Sequence, residues 1–405
     1  MANLEFFFDI VCPQAWLAAC RVEDVARQGK ANLVLRPVSL EGIYHALNSW
    51  PPGADQWPVN KRRLAERDLL RRAELTGVTL RIPAHHPGNT ERAMRLLAAA
   101  PRQARLPLMH ALFRAYWAEG QDLDNSKVLA GLARSHGVDP NAMESTAARE
   151  NLRQTTEEAV ERGAFGVPTF MLEDQLWWGA DRMDFLQAAL GSTPPPRPVS
   201  PSETPATLEI FHDFSSPFSY LGSTQIEQLA HEHGAELTWR PMLLGALFRA
   251  IGTPMIPMKA LSEERRAWAR KDLHTWAEHW NVPFRFNRHF PLNSVLALRA
   301  SEVEPRLVPV LYRAAWVDNC NLSEPEVVAD VIRQAGYDPA PILQEAVTQP
   351  VKDAIRRNTE TAQELGICGA PTFVVNGRMP FWGQDRLDMV ARALDGWVPE
   401  VDRNG

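Results

Sequence analysis

The chain states one pattern twice. Residues 4–18 read LEFFFDIVCPQAWLA and residues 208–222 read LEIFHDFSSPFSYLG. Each runs Leu-Glu, an aromatic stretch, Asp, two residues, then Cys-Pro or Ser-Pro, 204 positions apart. The same offset relates Leu35-Arg36-Pro37 to Trp239-Arg240-Pro241, and Trp178-Gly179-Ala180-Asp181-Arg182 to Trp382-Gly383-Gln384-Asp385-Arg386. Gly166-Val167-Pro168-Thr169-Phe170 answers Gly369-Ala370-Pro371-Thr372-Phe373 at 203, and the one-residue difference falls in a hairpin turn, Glu173-Asp174 against Asn376-Gly377. Register held across separated blocks means two homologous domains. We place them at residues 1–191 and 207–397. The Pro-rich segment 192–206 between them favours extended conformations, supports no core, and reads as a linker.

Within each copy the order of elements is legible. Residues 4–8 are apolar and aromatic and fit a buried strand. Pro13 or Pro217 then opens a helix, a favourable first-turn position because proline lacks an N–H that would have no partner there. Residues 32–38 and 236–242 read as second strands. Long helical stretches follow, roughly 60–162 and 261–365, with glycines at helix ends. A hairpin and a last helix close each copy, and Asn376-Gly377 is a type I′ turn signal. The tail after about Trp397 is short and polar. The expected fold is α/β: β-α-β, a helical insertion, then β-β-α, made twice.

Composition removes several function classes. A net charge of −6 argues against a nucleic-acid protein, which would carry clustered Lys and Arg. No run approaches the length of a membrane-spanning helix. Four cysteines in 405 residues do not make a disulfide framework. With no basic, apolar leader at the N-terminus, a reducing cytoplasm is the expected location. His85-His86 has no Cys or acidic partner at ligand spacing, so no metal is expected. Cys20 is expected in the core, and Cys320 and Cys368 are expected to be inert.

That element order, with Cys-Pro or Ser-Pro opening the first helix and Gly-x-Pro-Thr before the third strand, resembles the thioredoxin fold with a helical insertion. More closely, it is similar to the branch of the DsbA-like family that holds 2-hydroxychromene-2-carboxylate isomerases and kappa-class glutathione transferases. Asp213-Phe214-Ser215-Ser216-Pro217-Phe218-Ser219-Tyr220-Leu221 carries the signature in copy two, and Phe165 to Thr169 with Trp177 to Arg182 carries the far end in copy one. The physics fits: a helix start offers unpaired N–H groups and about half a positive charge, so a thiolate placed there is stabilised.

The resemblance implies that glutathione brings the sulfur and that the Ser216 hydroxyl donates to its thiolate. It implies a cis Pro371, with the backbone of Ala370 pairing with glutathione's cysteinyl unit. It places Gln384 and Asp385 at the γ-glutamyl end, and sets Asp272, in the helical insertion, near an acidic residue that transferases use from the partner subunit. Thr253 stands where relatives often have Asn. Copy one keeps Val167-Pro168 and Ala180-Asp181, so its glutathione contacts are expected to outlast its catalytic Ser, which Cys12 replaces. Ala15 stands where a dithiol site needs its second Cys.

The expected activity is a glutathione-dependent isomerase or transferase acting on a small aromatic or conjugated carbonyl substrate, the fused halves behaving as an intramolecular pseudo-dimer. Ser216 read without its context is simply a helix cap, and Cys12 a small buried apolar residue. The rival functions are a DsbA-like thiol-disulfide oxidoreductase using Cys12 and a non-catalytic glutathione-binding module.

Overall fold

A computed structural model describes residues 1–48, 57–192 and 205–403. The first half builds β1 (Asn3–Phe8), α1 (Pro13–Gln28), β2 (Asn32–Pro37) and α2 (Leu40–Ala46), then α3 (Val59–Leu75), α4 (Glu91–Ala99), α5 (Arg102–Trp117), α6 (Ser126–Ser135) and α7 (Thr146–Glu161). It closes with β3 (Thr169–Leu172), β4 (Gln175–Trp178) and α8 (Met183–Ala189). The second half builds β5 (Thr207–His212), α9 (Pro217–Glu232), β6 (Glu236–Pro241) and α10 (Leu244–Ile251), then α11 (Glu263–His279), α12 (Val295–Val303), α13 (Val308–Trp316), α14 (Pro325–Gln334), α15 (Pro339–Ala346) and α16 (Gln349–Glu364). It ends with β7 (Thr372–Val375), β8 (Met379–Trp382), α17 (Leu387–Leu394) and α18 (Glu400–Arg403). Most of the segment read as a linker lies outside the described residues.

Each half holds one four-stranded sheet, in the orders β2-β1-β3-β4 and β6-β5-β7-β8. The parallel pair comes first, Phe6 opposite Leu35 and Ile210 opposite Trp239, and the central strand then pairs antiparallel with the third. The alternation of a strand explains why the aromatic runs are continuous. Phe6 and Phe8 face one core with Trp16 and Phe113, whereas Phe7 faces the other with Val38 and Ala159. The hairpin turn of the second half has positive φ at both Asn376 (52°) and Gly377 (66°), as a type I′ turn requires.

By contacts, the chain divides into two compact units, Met1–Pro51 with Leu69–Pro196 and Pro52–Asp68 with Arg197–Gly405. The start of α3, read as part of the first copy's insertion, therefore packs with the second. Asn60 Nδ2 donates to the Ile367 carbonyl at 3.2 Å, and Arg67 Nε donates to Asp402 at 2.9 Å. The polar tail forms α18 and buries Asp402, to which the Arg67 guanidinium provides the counter-charge. One expectation is corrected here. Cys20 is exposed, since α1 turns Trp16, Leu17, Ala19 and Val22 inward and leaves position 20 on its outer side. No described helix is long and apolar enough to cross a membrane.

Candidate functional site

In each unit the turn between the first strand and the first helix is held from behind. Asp213 is buried, and its carboxylate accepts from Ser215 N at 2.9 Å, Leu244 N at 3.0 Å and Ser294 Oγ at 2.5 Å. Burial raises its pKa, opposed by those hydrogen bonds. Asp9 does the same with Val11 N, Leu40 N and Thr90 Oγ1. A tryptophan from the insertion fixes the next residues. Trp316 Nε1 donates to the Phe214 carbonyl at 2.9 Å, and Trp117 Nε1 to that of Ile10 at 2.7 Å. Asp9 and Asp213 thus anchor the site from beneath, a role their matched places in the two copies signalled.

The helix starts differ chemically on nearly the same backbone. Ser216 caps α9 with φ −100° and ψ 116°, and Cys12 precedes α1 with φ −91° and ψ 117°. Ser216 Oγ accepts from Ser219 N at 3.2 Å and donates to the Ala370 carbonyl at 3.0 Å. Cys12 makes no side-chain cap bond. Its Sγ instead donates to the Val167 carbonyl at 3.2 Å. Burial pushes the Cys12 thiol up to about 12, outweighing the N–H groups of Ala15 and Gln14. For this sulfur, desolvation beats the helix start, opposite to the general expectation for a thiol placed there.

Around Ser216 the structure gathers most of the residues named from the sequence. Ala370–Pro371 is a cis peptide, as is Val167–Pro168. The Pro371 carbonyl accepts from Gly383 N at 3.0 Å, which brings the turn Gln384–Arg386 alongside. Gly222, on α9, closes the packing, because a Cβ there would lie 3.3 Å from Pro371 Cγ and 3.0 Å from Phe373 Cζ. Gln384 is buried. Asp385 Oδ1 pairs with Arg386 Nη1 at 2.9 Å. The first unit repeats this with Val167, Pro168, Ala180 and Asp181, the Gly179 N–H donating to the Pro168 carbonyl at 2.9 Å.

Asp272 is buried on α11. Its counterpart one repeat earlier, Asp68 at the end of the α3 segment that packs with the second unit, reaches the second site directly. Arg386 Nε donates to Asp68 Oδ1 at 2.5 Å, so Arg386 bridges Asp68 and Asp385. Subtracting the repeat offset from position 272 identifies this residue. Cys368 is buried three residues before Pro371, and burial holds its thiol up at about 12.

Chemically, the second site offers a half-positive helix start, a buried hydroxyl donor, a cis Ala370–Pro371 peptide, and a carboxylate–guanidinium–carboxylate group at the far end. That set suits a small thiol carrying an extended peptide backbone and a charged end.

Comparison with known proteins agrees with the duplication. The DSBA-like thioredoxin domain model matches residues 3–191 and again residues 207–395. A 2-hydroxychromene-2-carboxylate isomerase of Pseudomonas putida is 31% identical over 46% of this chain and 94% of its own length. The human glutathione S-transferase kappa 1 is 26% identical over 49% of this chain and 95% of its own. A solved 2-hydroxychromene-2-carboxylate isomerase is 29% identical, covers 47% of this chain and 94% of its own, and superposes with a TM-score of 0.43.

Proposed function

Because the chain belongs to the DSBA-like thioredoxin domain family, as a tandem pair from the branch of 2-hydroxychromene-2-carboxylate isomerases and kappa-class glutathione transferases, we propose that it is a glutathione-dependent isomerase or transferase whose working centre is at Ser216. Glutathione, when bound, supplies a sulfur nucleophile able to add to a conjugated carbonyl compound and to leave again. The substrate class is a small aromatic or conjugated carbonyl compound.

The observation that carries this reading is the pair of hydrogen bonds at Ser216: its oxygen caps α9 while its hydrogen is directed at Ala370 O. The cap bond fixes the rotamer, and the hydrogen is free to turn from a neutral carbonyl to an anionic sulfur, a stronger acceptor. The first-turn N–H groups of a sixteen-residue helix add their partial charge. The Ala370 backbone takes the cysteinyl unit as an added strand would. Gln384 and Asp385 receive the γ-glutamyl end, the carboxylate of Asp385 taking its ammonium and Arg386 its carboxylate. Ser219 Oγ is buried without a hydrogen-bond partner among the described residues, a polar atom one turn into the helix that a sulfur at its start would satisfy.

The first unit is a weaker candidate. A thiol held up at about 12 is protonated at neutral pH, which opposes a disulfide oxidoreductase working through Cys12. Calorimetric titration with glutathione of the intact protein, Ser216→Ala and Cys12→Ser decides among the readings. We expect binding that weakens in Ser216→Ala and survives in Cys12→Ser. Activity lost only in Cys12→Ser would support the oxidoreductase, and absent binding would end the glutathione reading.

A further inference from the structure

The rim of the second site is apolar where that of the first is polar. The head of α10 stands beside the Ser216 turn, because the Leu244 and Ser215 N–H groups bond the two oxygens of one carboxylate, Asp213, at 3.0 and 2.9 Å. Leu244 also packs into the small cluster that holds Ala370, on the other wall of the site. Leu243 is half-buried and packs against the cluster of Phe214 and Tyr220, as does the half-buried Phe218 from the first turn of α9. The methyl of Met255, from the loop after α10, rests on Gly245: a Cβ there would lie 2.9 Å from it. Met255 is nevertheless 55% exposed.

The first unit is an internal control. The repeat offset of 204 pairs Phe218 with Gln14, Leu243 with Ser39 and Gly245 with Glu41. The Leu40 N–H reaches Asp9 at 2.9 Å just as that of Leu244 reaches Asp213, so each helix head stands in the same place against its own turn. There Ser39 caps α2, accepting from Gly42 N at 3.0 Å, and the Glu41 side chain is exposed. The head of α10 has no side-chain cap. Helix stability favours the serine over Leu243, and a methionine left more than half in water contributes little to packing. Stability therefore does not account for the change. Polar groups disappear from all three positions in the unit whose cap is Ser216 rather than Cys12.

We propose that Phe218, Leu243 and Met255 form an apolar subsite beside Ser216 that takes an uncharged aromatic group bonded to the cosubstrate's sulfur. This rests on the glutathione reading above and names the part of the substrate that lies next to the sulfur. Phe218 is in the same helical turn as Ser216, so a group carried on a sulfur at that helix start begins within the rim. Phe218 offers a ring, and aromatic pairs attract beyond the area they bury. Met255 offers an unbranched, polarisable thioether that adapts to an aromatic edge. Gly245 has its part in this, because the absence of a Cβ is what lets the Met255 methyl lie down beside the turn. A carboxylate at that place, as Glu41 provides in the first unit, would have to give up water to receive an apolar ring, which is costly.

S-benzylglutathione presents a ring on the sulfur and needs no turnover to be read. Calorimetric titration of the full-length protein with glutathione and with S-benzylglutathione gives the ratio of the two affinities. Met255→Ser is expected to lower the preference for S-benzylglutathione about fivefold, the loss of one partly buried apolar contact. Gly245→Glu, which imports the first unit's residue and displaces the Met255 methyl, is expected to do the same, and the two together to do little more than either alone. Met255→Leu keeps an apolar side chain of similar volume and should retain the preference. An unchanged ratio in both Met255→Ser and Gly245→Glu overturns the proposal, as does an equal loss in Met255→Leu; either result leaves the glutathione reading standing. Absent binding of glutathione itself ends that reading and the subsite with it, so the two failures are distinguishable. Should Gly245→Glu fail to fold, the substitutions at the exposed Met255 carry the test.

Discussion

Replacing Ser216 by alanine separates a structural loss from a chemical one. Two bonds disappear from the folded protein: the cap to Ser219 N at 3.2 Å and the donation to Ala370 O at 3.0 Å. Loss of a helix cap costs about 1 kcal/mol. Leaving a buried carbonyl without its donor costs about another 1 kcal/mol. For a unit of this size each kcal/mol is about 2–4 °C, so the thermal midpoint of the second unit should fall by about 4–8 °C. The chemical loss is larger. A hydrogen bond to a charged group contributes about 1.5–3 kcal/mol, and 1.36 kcal/mol is one pKa unit. The thiol of bound glutathione should therefore titrate about one to two units higher in Ser216→Ala, with thiolate at pH 7 reduced about 10–100-fold. Ultraviolet absorbance of the thiolate against pH reads this directly. The protein's own sulfurs interfere little, because burial holds Cys12 and Cys368 at about 12, and serine at positions 20 and 320 removes the other two. A bound thiol that titrates at one pH in both proteins, with the midpoint lowered as expected, would show Ser216 to be only a helix cap.

Three further outcomes follow from the geometry. At pH 8, a free cysteine of pKa about 8.5 is about one-quarter thiolate, whereas a thiol held at about 12 is about one part in ten thousand; iodoacetamide should therefore modify Cys12 about a thousandfold more slowly than free cysteine, and a comparable rate would show that the helix start outweighs burial. His212 is held neutral, its pKa lowered to about 3, against about 6.5 when unfolded. Its contribution to stability is full above pH 6.5 and is lost as pH falls toward 3. Urea unfolding should show the second unit losing about 2 kcal/mol between pH 7 and pH 5 on this account, and His212→Phe should abolish that loss. Gly383 has φ 109°, and a Cβ on it would lie 2.6 Å from Asp385 Oδ1. Gly383→Ala should lower the midpoint through about 1–3 kcal/mol of strain and weaken glutathione binding in calorimetry by displacing Asp385; unaltered binding would remove Asp385 from the γ-glutamyl contact.

The duplication made the fold legible, because every strand and both hairpins recur at an offset of 203 or 204 and local pattern agrees with repeat position. The helix cap was legible too, since Ser-Pro after an aromatic strand admits few structures. Features that depend on contacts between distant segments were not. Nothing local to Asp68 tells that the start of α3 packs with the second half, although the offset from Asp272 points to the residue. Nothing near Asp402 announces Arg67. The tuning of Cys12 was left open in the sequence for a different reason: a helix start is visible there and desolvation is not. His212 and Tyr312 are a hundred residues apart, and each alone looks like an ordinary aromatic substitution; only the fold makes them neighbours.

The two halves put different chemistry on one helix start. Backbone torsions at Cys12 and Ser216 differ by less than ten degrees, so the helix start presents the same dipoles in both. Oxygen is a short, strong acceptor and takes the Ser219 N–H, while its hydrogen is directed at the Ala370 carbonyl. Sulfur is a weak acceptor on a longer bond. It forms no cap and lies down on the Val167 carbonyl, where the surroundings that bury it also keep it protonated. Behind it Phe8 and Phe113 meet as bare rings; in the second unit His212 and Tyr312 stand there, with Nδ1 3.1 Å from the hydroxyl and the hydroxyl donating to the Asp213 carbonyl. On the proposed reading, the Ser216 hydroxyl, which only the second helix start has, is what should lower the pKa of a sulfur arriving from outside.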